Sequence, residues 1–166
     1  MINFVEIKSK EIKDFAKLTS EIWHEYWTCI LSDEQIDYMV DKFQSENAIT
    51  EQINNENYTY FYIMYDNKKA GYIGLSGKQD YLFLSKLYLK KEYRHKGIGK
   101  EAFNFIKQFA QKNDYNKIQL TVNKYNENTI NAYNKWGFKT INSVVTDIGN
   151  GFVMDDYIME YAIEEQ

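Results

Sequence analysis

The chain has 166 residues, 44% of them hydrophobic and 27% charged, with no proline, one cysteine and a formal charge of −4. That size and composition exclude a disordered chain and fit one domain over residues 1–166 that buries its core without a disulfide or metal staple. The acidic balance argues against a nucleic-acid partner, and no run approaches the ~20 apolar residues of a membrane helix.

Met1 to Glu6 lacks the basic-then-apolar order of a signal peptide, so the expected location is cytoplasmic, where the lone Cys29 is read as a small buried thiol. Residues 3–8 read as a short strand. From Lys10 onward Ile12, Phe15, Ala16, Thr19, Ile22, Trp23 and Tyr26 recur at helical spacing. Ser32 followed by Gln35 is a capping-box pattern that opens a second helix, with Ile36, Met39, Val40 and Phe43 turned inward. Ser45 to Asn55 reads as a third helix.

The texture then changes to β-branched and aromatic residues from Tyr58 to Tyr65, ended by the turn signal Asp66-Asn67-Lys68. Ala70 to Ser76 returns as a hairpin partner, and Tyr81 to Lys90 is a third strand of the same texture. A charged loop, Lys91 to Gly99, runs into a helix whose inward face is Ile98, Ala102, Phe105, Ile106 and Phe109. Ile118 to Val122 is a strand, Asn126 to Lys135 a helix and Phe138 to Ile148 a strand. Gly149-Asn150-Gly151 turns the chain into a last strand, Phe152 to Tyr161. This order predicts an α/β (α+β) fold: a mixed, mostly antiparallel sheet of about seven strands with helices on both faces.

The junction after the third hairpin strand carries the chemistry. A strand ends, a loop with Gly97 and Gly99 follows, and a helix begins, which exposes backbone N–H groups at the positive end of a helix dipole. Phosphate is the natural ligand of such a junction, and Arg94, His95, Lys96 and Lys100 place positive charge beside it. Arg94 is the only arginine in the chain. The nucleotide P-loop pattern is absent, and a dinucleotide fingerprint would need a βαβ unit where a hairpin-rich sheet precedes the loop.

Arg94-x-x-Gly97-x-Gly99 resembles the pyrophosphate motif of the GNAT superfamily of acyl-CoA-dependent N-acetyltransferases. Asn126 to Phe138 is similar to a second motif of that family, Asn-x-x-Ala-x-x-x-Tyr-x-x-x-Gly-Phe, with Thr129 standing where alanine is usual. The resemblance implies acetyl-CoA as co-substrate. Leu87, Tyr88 and Leu89 would offer strand-edge backbone groups to the pantetheine arm, and Arg94 to Lys100, including Ile98, would wrap the pyrophosphate. Asn126 would help to hold the cofactor, and Tyr133 would be the general acid that protonates the leaving thiolate. Family members often carry a glutamate on the strand before the loop. Here Phe83-Leu84-Ser85-Lys86-Leu87 holds no carboxylate, so the general base stays open between Glu25, another acid acting through water, and a partly deprotonated amine.

By fold-level analogy the first helices and the last hairpin choose the acceptor. Trp23, Glu25, Tyr26, Asp147, Asp155 and Asp156 supply aromatics and carboxylates suited to a polyamine through cation–π contact and charge pairing. The N-terminal helices and the ending from Asp147 to Tyr157 resemble bacterial spermidine/polyamine N-acetyltransferases. The expected function is therefore acetyl transfer to a primary amine of a small molecule, a polyamine such as spermidine or spermine. The alternatives are a protein N-terminal or lysine acetyltransferase and a non-catalytic acyl-CoA-binding module. A homodimer is a further expectation of the resemblance. His24 has no Cys or His partner at metal spacing, so no metal site is expected.

Overall fold

The computed structural model describes residues 1–164. In chain order the elements are β1 (Ile2–Glu6), α1 (Ile12–Tyr26), α2 (Asp33–Gln44), α3 (Glu46–Asn55), β2 (Tyr58–Tyr65), β3 (Lys68–Gly77) and β4 (Leu82–Leu89). They continue as α4 (Ile98–Lys112), β5 (Lys117–Asn123), α5 (Glu127–Trp136), β6 (Lys139–Gly149) and β7 (Phe152–Ala162). The strands form one seven-stranded sheet in the order β1-β2-β3-β4-β5-β7-β6. Every neighbouring pair is antiparallel except β4–β5. The mixed sheet expected from the sequence is the one observed.

Strict alternation along β2 divides the interior into two cores. Tyr60 and Tyr62 face α1, α2 and α3, where Phe15, Ile22, Ile36, Met39 and Ile49 are buried with them. Phe61 and Ile63 face α4 and α5, beside Ile73, Leu75, Ile98, Phe103 and Ile106. Ser32 caps α2 as its spacing predicted, its hydroxyl accepting from Gln35 N–H at 3.2 Å. The first core also holds a polar relay that the apolar periodicity does not reveal. Trp23 Nε1 donates to the Tyr72 hydroxyl (2.6 Å), which donates to Gln44 Oε1 (2.7 Å). The Tyr60 hydroxyl closes the relay by donating to Gln52 Oε1 at 2.6 Å. Buried polar groups of this kind are tolerated because each finds a partner.

Two sequence expectations change. Cys29 is exposed, because α1 has already ended at Tyr26 and the thiol sits on the turn leading to α2. On α4 the fully buried aromatic is Phe103, stacked on Trp136 at 5.3 Å, while Phe105 and Phe109 are only half-buried. The helix is wedged between the sheet and α5, so its apolar arc is wider than one stripe.

Two departures from regular pairing shape β4. Gly74 pairs with Lys86 but Leu75 pairs with Leu84, leaving Ser85 as a β-bulge. The bulge sends Leu84 and Leu87 to the α4 core and turns Lys86 and Tyr88 toward α1. On its other side β4 pairs with β5 only at Leu82↔Ile118 and Phe83↔Gln119, after which the two strands part.

Gly71 pairs with Leu89 at the C-terminal end of β4, where an added Cβ would lie 2.0 Å from the Tyr88 carbonyl oxygen. Gly71→Ala is expected to lower unfolding stability by about 2 kcal/mol or more through overpacking. A urea midpoint equal to that of the parent would show that β3 and β4 do not approach so closely.

Candidate active site

The parting of β4 from β5 leaves Leu87, Tyr88 and Leu89 bonded to β3 alone, so the β5-facing edge of these three residues carries no ladder partner. The chain then makes a single 3-10 turn at Lys91–Tyr93 and enters α4. His95 (φ 62°) and Gly97 (φ 78°) both adopt the left-handed conformation that curls the backbone here. The ladder of α4 begins with Glu101 N–H donating to the Gly97 carbonyl at 3.3 Å, so the N–H groups of Ile98, Gly99 and Lys100 precede it. A Cβ on Gly97 would meet no protein atom within 4 Å, whereas one on Gly99 would lie 3.4 Å from the Trp136 ring in ordinary contact. Gly97 thus faces open space, and the backbone there is shaped like an anion cradle.

The side chains of the loop divide into two sets. His95, Lys96 and Lys100 are exposed around the cradle, while Ile98 is buried and pins the start of the helix. Arg94 folds back instead of projecting outward. Its Nε donates to the Leu89 carbonyl at 3.1 Å, its guanidinium lies 5.2 Å from the Tyr26 ring centre, and Nη2 is 3.6 Å from Glu25 Oε1. Glu25 also accepts from Lys91 N–H at 2.5 Å. Glu25 therefore braces the loop; it is not among the residues lining the cavity described next.

That cavity, of about 240 Å³, opens where β4 and β5 part and passes between α1 and α5. Trp23, Tyr26 and Trp27 wall it on the α1 side, with Tyr88 beneath them. The Tyr26 hydroxyl accepts from Asn126 Nδ2 and lies 2.8 Å from Thr129 Oγ1, so α1 is tied to the N-terminal end of α5. The hydroxyl of Thr129, where the resembling motif usually has alanine, thus has a partner in this chain. Asn126 does not stand free; its amide is engaged by Tyr26. His24 points away, into an exposed pairing with Asp37 at 2.6 Å that raises its pKa, with a further contribution from the Ser20 carbonyl. No cluster of three metal-ligating side chains occurs among the described residues.

Tyr133, on α5, lines the same cavity and is 8% exposed, its ring packed edge-on against Trp136 and Phe138. Burial, aided by the neighbouring Tyr26, pushes the phenol well above its ordinary pKa, so it keeps its proton. The last hairpin sorts its three carboxylates. Asp147 turns the β6–β7 hairpin by accepting from Gly149 N–H at 2.8 Å, and Asp155 pairs with Lys124 at 2.8 Å. Neither Asp147 nor Asp155 lines the cavity.

Asp156 does. It is 6% exposed, its Oδ1 has no hydrogen-bond partner among the described residues, and burial raises its pKa to about 6, with Asp155 adding and Lys124 opposing. Asp155, expected from the sequence to bind the acceptor, instead pairs with Lys124, and its neighbour Asp156 is the one that faces the cavity. Strand alternation decides between them, since only one of two neighbours can face the cavity. Lys86, which the bulge turns toward α1, is the second charged group there, and burial lowers its pKa to about 8.

The sequence pattern of the Acetyltransferase (GNAT) family matches residues 17–138. The chain belongs to the GNAT family. A spermidine N(1)-acetyltransferase of Thermoplasma acidophilum is 28% identical over 91% of this chain and 96% of its own. The crystal structure of PaiA N-acetyltransferase from the same organism, in complex with coenzyme A, has a TM-score of 0.81 at 24% identity, covering 98% of this chain and 99% of that one. The fold is also similar to that of the Escherichia coli ribosomal-protein-S18-alanine N-acetyltransferase, with a TM-score of 0.72 at 15% identity, covering 100% of this chain and 96% of that chain. As a GNAT acetyltransferase, the protein uses acetyl-CoA to acetylate an amine. The open cradle at Gly97 and the unpaired edge of β4 fit that co-substrate.

Gly97→Ala forces a Cβ into a left-handed position and into the open cradle. The KM for acetyl-CoA should rise at least about fivefold, in line with a strain of about 1 kcal/mol, while the KM for the amine moves little. Steady-state kinetics with each substrate varied in turn checks this. An unchanged KM for acetyl-CoA would take Gly97 out of the binding loop.

Proposed function

We propose that the protein acetylates the primary amine of a small molecule by direct attack on the thioester of acetyl-CoA, and that a polyamine such as spermidine is an acceptor. The observation that carries the reading is the pairing, in one cavity, of a protonated phenol at Tyr133 with an unpartnered buried carboxyl at Asp156. The acceptor nitrogen attacks the thioester carbonyl and becomes acidic as its bond to carbon forms. The Asp156 carboxylate takes that proton. The carbon–sulfur bond then breaks, and Tyr133 donates its proton to the departing sulfur. The apolar surroundings disfavour a free thiolate as they disfavour a phenolate, so the two penalties offset each other as the proton passes to the sulfur.

Backbone groups of Leu87, Tyr88 and Leu89 would hold the pantetheine arm, and the N–H groups of the Gly97 to Lys100 cradle the pyrophosphate. His95, Lys96 and Lys100 supply positive charge around it. In this reading Arg94 acts by fixing the loop to Leu89 and Tyr26, and Asn126 by anchoring Tyr26. Direct transfer is supported by the position of the only cysteine, Cys29, outside the cavity. The polyamine assignment is supported by the name of the Thermoplasma relative, by the wall of Trp23, Tyr26 and Trp27, and by the carboxyl of Asp156. The cavity volume of about 240 Å³ also favours a small acceptor. The proposal takes residues 1–166 as one acetyltransferase domain working in the cytoplasm, where an exposed thiol such as Cys29 stays reduced.

Release of free CoA measured against polyamines, aminoglycosides, amino acids and short peptides tests the assignment, and spermidine should be turned over. Reaction with peptides alone would replace the polyamine, and tight acetyl-CoA binding without turnover of any amine would leave a binding module. Tyr133→Phe should lower kcat at least about tenfold with the KM for acetyl-CoA unchanged. In the parent, activity should fall as pH drops through about 6, because only the ionised Asp156 can accept the proton. Asp156→Asn should lower kcat and remove that limb; a limb that persists in the variant would assign it to another group.

A further inference from the structure

Among the described residues that line the cavity, Asp156 and Lys86 carry the only charged side chains. One is accounted for as the proton acceptor. Lys86 occupies the strand that in the resembling family often carries a glutamate, and its setting is specific. The bulge at Ser85 turns it toward α1, and Gly74 leaves room for its stem, since a Cβ there would stand 3.1 Å from Lys86 Cγ. Its Nζ donates to Ser85 Oγ at 2.8 Å and lies 5.9 Å from the Trp23 ring centre. Ser85 Oγ is in turn 2.8 Å from the Tyr58 hydroxyl. No carboxylate lies within ion-pair distance of Lys86 among the described residues. A cation so placed has polar and aromatic neighbours but no counter-charge, and it lines the cavity.

We infer that Lys86 sets the charge selectivity of the acceptor cavity, favouring an amine whose far end is anionic or neutral over one whose far end is a second ammonium. The inference rests on the primary-amine reading above and refines it. A polyamine remains a substrate, at a lower kcat/KM than an amine of matched length without the second positive charge. The physical reason is that like charges inside a partly desolvated cavity repel strongly, while a carboxylate would give Lys86 the partner it lacks.

Three four-carbon acceptors separate charge from length: butylamine, 1,4-diaminobutane and 4-aminobutanoate. At pH 7 the parent should use 4-aminobutanoate at least about tenfold more efficiently than 1,4-diaminobutane, with butylamine between them. Lys86→Gln and Lys86→Met should both bring that ratio close to one, whatever their effect on the butylamine rate.

A second readout is one that a purely structural role would not move. Lys86 is a cation below about pH 8 and neutral above, so the parent's preference should shrink from pH 7 to pH 9 beyond any change in the variants. The other titratable groups around the cavity are Asp156 on β7, Tyr26 on α1, Tyr88 on β4 and Tyr133 on α5, with Tyr58 reaching Lys86 through Ser85. Asp156 is already ionised above about 6, and burial raises the phenols of Tyr58, Tyr88 and Tyr133. Ratios that match between parent and variants, or a parent that prefers 1,4-diaminobutane, would overturn the assignment of Lys86 while leaving amine acetylation standing. No CoA release by the parent with any of the three would overturn this inference, and failure with spermidine and the wider amine panel as well would overturn the primary-amine reading with it.

Discussion

The site exists because β4 and β5 stop pairing after two residue pairs. Parallel strands that run on side by side would seal the sheet and leave the two cores with no passage between them. Their parting instead exposes backbone groups on one edge of β4 and opens a cavity that runs from α1 on one face to Tyr133 on the other. The bulge at Ser85 belongs to the same event. It changes which β4 side chains face which layer, so that Leu84 and Leu87 seal the α4 core while Lys86 and Tyr88 reach the cavity. Unsatisfied strand edges are ordinarily a liability, and here the edge borders the cavity, where it fits the extended arm of the co-substrate.

Around that opening the C-terminal end of α1 acts as a clamp. Glu25 holds the start of the glycine-containing loop through Lys91 and stands near Arg94, and Tyr26 lies beneath Arg94 and contacts Asn126 and Thr129. Two loops from distant parts of the chain therefore meet on consecutive helix residues. The lone arginine works as a structural fork that spans strand, helix and loop, a task to which a planar guanidinium is better suited than an ammonium.

Much of this was legible in the residues. Strand periodicity at Tyr58 to Tyr65, the Ser32 cap and the two glycines after β4 each reflect a local rule, and local rules survive folding. Cys29, Asp155 and Arg94 were harder because their surroundings come from elsewhere in the chain. Whether a cysteine after a helix is buried depends on where the next helix starts, and which of two adjacent aspartates faces inward depends on strand register. The partners of Arg94, namely Leu89, Glu25 and Tyr26, converge on it only in three dimensions. Asp156 had one available signal, two successive acids within an otherwise apolar strand, of which one must point to the interior.

The contact of Tyr26 with Thr129 reaches across 103 residues of sequence and joins the α1 wall of the cavity to the helix that carries Tyr133. The two side chains depend on each other. A helix α1 grafted from a relative without the tyrosine would leave the hydroxyl of Thr129 without this partner, and the reciprocal graft of α5 would do the same to Tyr26. The two helices are therefore poorly modular: a graft that keeps both hydroxyls in contact must exchange the α1 wall of the cavity and α5 together.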